Sequence, residues 1–496
     1  MTTAVDLSGR PFHFIGVGGI GMSALAYVLA KRQVPVSGSD IRASHLTQQL
    51  QELGTQVFLT QSAANLKGDA RHLNPRSSEQ FAVLPQVICS TAIQDANPEY
   101  QAAVQMGCPI YHRSDLLAAL IAEAPCSIAV AGTHGKTTTS SLIGYTLLKV
   151  GLDPTIIVGG EVAAWKGNAR VGNSPYLVAE ADESDGSLVK FRPQIGVITN
   201  VELDHPDHYQ TLDAVVDVFQ TFARRCQTVV VSLDCETIRD RILSPLCPPH
   251  FITYSLDPNS GADYTVDQVC YGSEGTTAQL IERGVNLGQL QLQLLGQHNL
   301  SNALAAVAVA RHLGTEFSSL VTAITSFRGA QRRFELRGEA HGIRFIDDYA
   351  HHPSEVRVTL ASARLQVKPG RREYPHRVVA VFQPHRYSRI HTFLDDFSQS
   401  FGDADQVVVT DIYSAGESNH TRLNGDLVSQ SIATHHPQVT YQPTLAEVST
   451  YLEQHLQPGD LVIFLGAGSL NSIISDLVTF FEQLESMGHS LAEAVA

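Results

Sequence analysis

The chain has 496 residues, 43% of them apolar, and a formal net charge of −15, which predicts two to four soluble globular domains and excludes nucleic acid as the main partner, since no basic stripe offsets the acids. The stretch Met1–Pro11 has no apolar signal core, and no later run reaches the ~18 apolar residues of a membrane span, so no membrane partner is expected. Seven scattered cysteines without a C-x-x-C pair suit free thiols in a reducing, cytoplasmic setting.

Strand-like runs alternate with helical patterns almost to the end, which predicts an α/β protein with mainly parallel sheets. The first unit, residues 1–122, opens with a strand over Phe12–Val17, the loop Gly16-Val-Gly-Gly-Ile-Gly21 and an apolar helix to Ala30. A second strand, Val34–Ser37, leads to Asp40. Glycines 16, 18 and 21 after a strand, with an acid beyond the next, spell a dinucleotide fingerprint that sets a pyrophosphate on a helix N-terminus. Two readings fit it: a nicotinamide-dependent oxidoreductase, or a diphosphate-linked sugar nucleotide in the same cradle. Residues 68–85 read as a polar loop before the strand Val87–Cys89, and a composition change near Ala122–Pro125 marks a boundary.

The second unit, residues 123–329, starts with a strand over Ser127–Ala131 and the stretch Ala131-Gly-Thr-His-Gly-Lys-Thr-Thr-Thr139. The usual phosphate loop, G-x-x-x-x-G-K-[ST], has a glycine where this chain has Val130, and Gly132 supplies one instead. The mechanics survive the altered spelling. Backbone N–H groups from Gly132, Thr133, His134 and Gly135 can approach phosphates, Lys136 can reach the terminal ones, and the hydroxyl of Thr137, beside Thr138, is placed to ligate Mg²⁺. The next strands, Tyr176–Ala179 and Ile195–Thr199, deliver Glu180 and His205 to the same rim, because ligands bind beyond the carboxyl ends of parallel strands. Thr137, Glu180 and His205 are therefore the expected metal ligands, for Mg²⁺ or alternatively Mn²⁺, with Asp182, Glu183 and Asp185 left unassigned. Residues 236–290 show a weaker pattern. The helix Asn299–Leu313 follows, with Leu300, Leu304 and Val307 as an apolar stripe and Asn299 and Asn302 on another face; Asn299 is equally well read as a helix cap. The third unit, residues 330–496, has strands at Val378–Phe382, Gln406–Thr410 and Leu461–Leu465.

The set AGTHGKTTT, EADESDGS, TNVELDHPDHY, GQHNLSNALAA, GAQRRFE, DDYAHHP and FQPHRYSR, which with the Gly16 loop runs in order from Gly16 to beyond Arg389, resembles the Mur ligases, and GTHGKTT is that family's form of the phosphate loop. The resemblance implies three domains: a Rossmann-like N-terminal domain, a P-loop-type central ATPase domain with a mostly parallel sheet, and a Rossmann-like C-terminal domain. It implies an ATP-dependent amide-bond ligase of cell-wall synthesis with small-molecule substrates only. The motifs match the branch that adds L-alanine to UDP-N-acetylmuramate, ahead of the branch that recycles murein tripeptide onto the same sugar nucleotide. The Gly16–Gly21 loop then becomes a UDP cradle, with Gly18, Gly19, Ile20, Gly21, Ser39, Asp40 and the turn Ser90-Thr91-Ala92-Ile93 around it. Asn299 and Asn302 would meet the adenosine. Lys136 and Arg333 would stabilise the transferring phosphoryl group, together with metal held at Thr137, Glu180 and His205. Asp348 would orient nucleotide or amine, and His352 would lie on the acceptor side with Tyr349. Arg386 would take the alanine carboxylate, with His385 and Arg389 nearby. Domain closure is expected at hinges near residues 123 and 330. Some members carry a carbamylated lysine downstream of the D-H-x-D motif; no lysine occurs here between Lys190 and Lys368.

Overall fold

The computed structural model describes residues 4–68, 83–243, 250–367 and 375–495, organised on three sheets. Most of the loop expected over 68–85 lies outside the described residues. The first sheet has five parallel strands in the order β3-β2-β1-β4-β5: β1 (Phe12–Ile15), β2 (Val36–Ser39), β3 (Gln56–Phe58), β4 (Gln86–Cys89) and β5 (Ile110–His112). Strand order reverses beside β1, so a crevice opens at its carboxyl end, where the helix Ile20–Lys31 begins.

The second sheet has ten strands in the order β15-β14-β13-β12-β11-β10-β6-β9-β7-β8. In chain order these are β6 (Cys126–Ala131), β7 (Thr155–Val162), β8 (Gly167–Arg170), β9 (Tyr176–Glu180), β10 (Ile195–Ile198), β11 (Thr228–Ser232), β12 (His250–Ser255), β13 (Tyr264–Gly272), β14 (Gly275–Glu282) and β15 (Val285–Leu292). The central strand β6 pairs in parallel with β9 and β10, and Ile128–Ala131 are fully buried. A strand covered by helices on both faces reads as a continuous apolar run, which is why it was legible. Within the weak pattern of 236–290, Ile238–Leu243 is a helical turn and the residues from His250 onward form β12 to β15. From β13 onward the pairing is antiparallel, and β14 alternates buried and half-buried positions, the signature of a strand covered on one face only.

The helix Gln297–His312 packs on the helix Lys136–Lys149 and is buried on all sides, Asn299 and Asn302 included. This corrects the expectation of a single apolar stripe. Alanines 303, 305, 306, 308 and 310 have little side chain to keep the neighbouring helix away. Asn299 does not cap it: the N-cap is Gly296, and Asn299 donates back to the Leu295 carbonyl at 2.8 Å.

The third sheet runs β16-β17-β21-β18-β19-β20: β16 (Glu335–Ala340) is an antiparallel edge, and β17 (Ile343–Asp348), β18 (Arg377–Phe382), β19 (Gln406–Val409), β20 (Val439–Tyr441) and β21 (Asp460–Leu465) are parallel. The N-terminal and central units are tied by His45–Glu161 at 2.6 Å, Lys190–Asp115 at 2.7 Å and Asn168, whose amide donates to the Ile20 carbonyl and to Ser23 Oγ. Among the described residues no helix is long and apolar enough to cross a membrane, and the described cysteines are free.

Candidate active site

Gly132 and Gly135 explain the unusual phosphate loop. Both have positive φ, +139° and +80°, and both are crowded from outside: a Cβ on Gly132 would overlap the Thr199 hydroxyl, and one on Gly135 would lie 2.7 Å from Asn302 Oδ1. The loop is therefore seated on the end of β10 and on the helix Gln297–His312. His134 N–H donates to Asn200 Oδ1 at 2.8 Å, and its carbonyl accepts from Thr199 Oγ1 at 2.6 Å and Asn200 Nδ2 at 3.1 Å.

Lys136 Nζ lies inside the loop, donating to the carbonyls of Gly132 at 2.8 Å and Thr133 at 3.0 Å and to Glu183 at 2.9 Å. Burial opposes its charge, but Glu183, Asp182 and Glu180 outweigh burial and raise its pKa, so it stays cationic. Thr137 Oγ1 donates to Glu180 at 2.9 Å, and the Gly159 amide holds the other Glu180 oxygen at 2.6 Å. Asp182, Glu183 and His205 place one ligand atom each within 4.8 Å of one another. Burial pushes Glu183 up to about 7 against the pull of Lys136, whereas Asp182 is held below the usual carboxylate range because Lys136 and Arg113 overcome its burial. The unassigned acids thus sort by position. Asp182 and Glu183 face the His205 ring; Asp185 lies 3.6 Å from His112 Nε2 and 3.9 Å from Arg113.

Two cavities meet at the loop. One, of about 510 Å³, is lined by Asn299, Asn302, His298, Leu294, Leu336 and Val358. The other, of about 1150 Å³, gathers Ile20, Gly21, Thr91 and Ala92 from the first domain, Lys136, Thr137, Glu180 and His205 from the second, and Tyr349, His385, Arg386 and Arg389 from the third. His134, Gly135, Arg333 and Glu355 line both, so the phosphate loop is the wall between them. Arg332 and Arg333 both lie over the Tyr349 ring, at 4.9 and 5.1 Å from its centroid.

Several expected residues are placed otherwise. Gly18, Gly19, Asp40 and Ser90 do not line either cavity; Asp40 accepts from the Gly18 amide at 2.8 Å and holds the glycine loop in shape. His352 is the N-cap of the helix Pro353–Gln366 and packs on the rings of His134 and Phe393, while its neighbour His351 faces the large cavity and meets His385 edge-on at 5.8 Å. Consecutive residues at a helix start point to different sides, and sequence alone does not say which faces the cavity. Asp348 lines the small cavity, yet its oxygens accept from the Phe334 and Ala350 amides at 2.7 and 2.8 Å, and burial raises it to about 6. It supports the crossing segment. Arg389 is buried, bonded to Asp204 at 2.9 Å and to His385 at 3.2 Å, so it braces the site across two domains. Arg386 is half exposed, with φ +66°, beside Asp207 at 2.6 Å. Arg113 was missed: it stands 3.0 Å from where a Cβ on Gly21 would be and 3.2 Å from Asp182. It follows β5 directly, and the rule that ligands gather beyond parallel strand ends marks that position.

Comparison with known proteins agrees with this three-part site. Residues 11–124 match the Mur ligase family catalytic domain, residues 130–310 the Mur ligase middle domain and residues 332–468 the Mur ligase glutamate ligase domain. The chain is 63% identical over 483 residues to a UDP-N-acetylmuramate–L-alanine ligase of Acaryochloris marina, covering 97% of this chain and 98% of that one. The chain belongs to the Mur ligase family. Among other relatives, the enzyme of the same name from Nostoc punctiforme is 62% identical, with 97% and 98% covered. The crystal structure of the UDP-N-acetylmuramate–alanine ligase from Thermotoga maritima matches this Mur ligase with a TM-score of 0.77 at 28% identity, over 96% of this chain and 99% of that one.

Proposed function

We propose that this Mur ligase joins L-alanine to the lactyl carboxylate of UDP-N-acetylmuramate at the expense of ATP, in peptidoglycan precursor synthesis in the cytoplasm. The observation that carries the reading is the phosphate loop standing as a wall between a nucleoside-sized cavity and a larger one to which all three domains contribute. Relatives 62–63% identical over nearly the whole chain bear the alanine ligase name, which favours this branch over tripeptide recycling. The working domain limits are 1–122 for the UDP-sugar, 123–329 for ATP and 330–496 for the amino acid.

A carboxylate is a poor acyl donor until an oxygen becomes a leaving group. ATP in the small cavity, with Asn299 and Asn302 beside its nucleoside, directs its γ-phosphate past the loop into the large one. The substrate carboxylate attacks the γ-phosphorus, ADP leaves, and an acyl phosphate forms. The ammonium of alanine first gives one proton to solvent; the neutral amine then attacks the acyl carbon, and phosphate departs, taking up the proton that the amide nitrogen loses. Lys136 and Arg333 stabilise charge on the transferring group, the main work of phosphoryl-transfer sites. Ile20, Gly21, Thr91, Ala92 and Arg113 face the UDP-sugar, and Arg386 the alanine carboxylate. Burial keeps His351 and His385 neutral, at about 3 and about 2, so neither repels an incoming ammonium group. The oxygen-rich set of Thr137, Glu180, Asp182 and Glu183, with His205, fits Mg²⁺. Mg²⁺ bound there would neutralise phosphate charge. The test is phosphate release from ATP with each substrate omitted in turn: release only when UDP-N-acetylmuramate and L-alanine are both present supports the reading. Preference for the tripeptide in direct competition would move it to the recycling branch, and turnover of nicotinamide would replace it.

A further inference from the structure

Three side chains at the junction of phosphate loop and C-terminal domain are not used by the reaction above. His134, Glu202 and His352 each offer one ligand atom, a ring nitrogen or a carboxylate oxygen, and the three atoms lie within 4.8 Å of one another. His134 Nε2 and His352 Nε2 are both buried without a hydrogen-bond partner, Glu202 stands 3.6 Å from His134 Nε2, and His352 is 4% exposed. Buried polar atoms in a folded protein nearly always have a partner.

We propose that His134, Glu202 and His352 form a second cation site, selective for a borderline-soft divalent ion such as Zn²⁺, and that filling it staples the phosphate loop to the C-terminal domain and inhibits the enzyme. Two imidazoles and one carboxylate with an open fourth position are a zinc donor set. A point about 2.8 Å from all three atoms exists already, so shifts under ~1 Å bring them to zinc distances of 2.0–2.2 Å. Mg²⁺ prefers oxygen and would stay at the Glu180–Glu183 end of the large cavity. The surroundings are those of a supported metal ligand: His134 Nδ1 lies 3.2 Å from Glu355, and Glu202 accepts from Ser354 Oγ at 2.8 Å. Binding releases the proton on His134 Nε2 to solvent. It also requires His352 to carry its proton at Nδ1, giving up the weak 3.3 Å cap bond from the Ser354 amide. His134 and Glu202 belong to the central domain and His352 to the C-terminal one, and nucleotide must enter and leave between those two, so a staple here slows opening. The binding claim stands apart from the proposed reaction; the inhibition claim rests on it.

The experiment uses the full chain without nucleotide, in excess Mg²⁺, titrated with Zn²⁺ calorimetrically and with Co²⁺ by visible absorption. His352→Asn is the informative variant, because asparagine keeps the helix cap and removes the nitrogen ligand. Glu202→Gln is the second variant, preserving shape while losing the charge. The expected result is one Zn²⁺ equivalent and a tetrahedral cobalt band in the parent chain, both lost in His352→Asn and weakened at least ~10-fold in Glu202→Gln. Phosphate release should be inhibited by Zn²⁺ in the parent and restored by a zinc-selective chelator, with His352→Asn requiring at least ~10-fold more ion. Equal stoichiometry, spectrum and inhibition in parent and His352→Asn would overturn the proposal and put the ion at Asp182, Glu183 and His205. Absence of any ligase activity, with zinc binding intact, would instead count against the proposed reaction.

Discussion

Lys136 is the residue on which the phosphate assignment turns. Its ammonium is held by two loop carbonyls and Glu183, so it is oriented before any nucleotide arrives. Lys136→Ala should lose turnover by at least ~10²-fold, the scale of one removed electrostatic stabiliser, with its circular dichroism spectrum unchanged. Near-normal ligation by that variant would end the assignment. His134 makes a different prediction. Burial opposes its charge, but the carboxylates of Glu202 and Glu355 on either side of the ring prevail and lift its pKa from 6.5 to about 10. His352, the other titratable group against it, is itself held neutral by burial at about 4. A folded-state pKa above the unfolded one gives stability that is complete below pH 6.5 and is lost as pH rises toward about 10. Removing the group removes that contribution, so the melting-temperature gap between the parent and His134→Gln should be widest near pH 6.5 and should close by pH 10. A gap that grows with pH would contradict this ion pair.

The helix Leu212–Arg225 is the element that bears on how a metal at the proposed site would be held. It follows the His205 loop, where a carbamylated lysine would be sought, and it offers Arg224 and Arg225, both exposed. A guanidinium remains protonated and has no free amine to carbamylate. Among the described residues, Lys136 is the lysine that lines the large cavity, and it is already committed to Glu183. In the proposed metal site, carboxylates, His205 and water would therefore complete the shell. Turnover should not change when carbon dioxide is removed or bicarbonate is added, and His205→Ala should lose activity. Activity that falls in degassed buffer and returns with bicarbonate would show that a lysine from elsewhere reaches the site.

Across the whole molecule, the two domain junctions differ in kind. The first is closed by His45–Glu161, Lys190–Asp115 and Asn168 on the Ile20 carbonyl, which places the glycine loop of one domain on a strand of the next. The second is spanned by Arg389–Asp204, Arg386–Asp207 and His134–Glu355, all beside the walls of the two cavities. Closure should therefore turn on the segment near residue 330, the N-terminal and central domains moving as one body. Small-angle scattering with UDP-N-acetylmuramate and a non-hydrolysable ATP analogue at saturation should give a smaller radius of gyration than the free protein. An unchanged radius would rule out that motion.

Each part of the protein was legible in sequence to the extent that its chemistry is local. The central parallel strands, β1, β6, β18 and β21 among them, are buried on both faces and declare themselves as largely apolar runs, and the phosphate loop is contiguous, so Lys136 and Thr137 could be named from a handful of residues. The motif resemblance supplied the rest of the site as a set of segments. Strands β13 to β15 were hidden because register shifts at Asp267/Cys270 and Leu280/Ile281 break the alternation that a half-covered antiparallel strand would otherwise show. Which neighbour in a motif faces the cavity was a question of tertiary structure: His351 turns inward while His352 caps a helix, and Arg389 is used up on Asp204 from another domain. Arg113 lies outside every motif and enters the site only because β5 ends beside Gly21 and Asp182. Sequence by itself determined the strand order of chemistry, since glycine loops, a phosphate-binding lysine and acidic strand ends are properties of short stretches. Tertiary structure alone decided which side chains are free to meet substrate, because that depends on what packing across domains has already claimed.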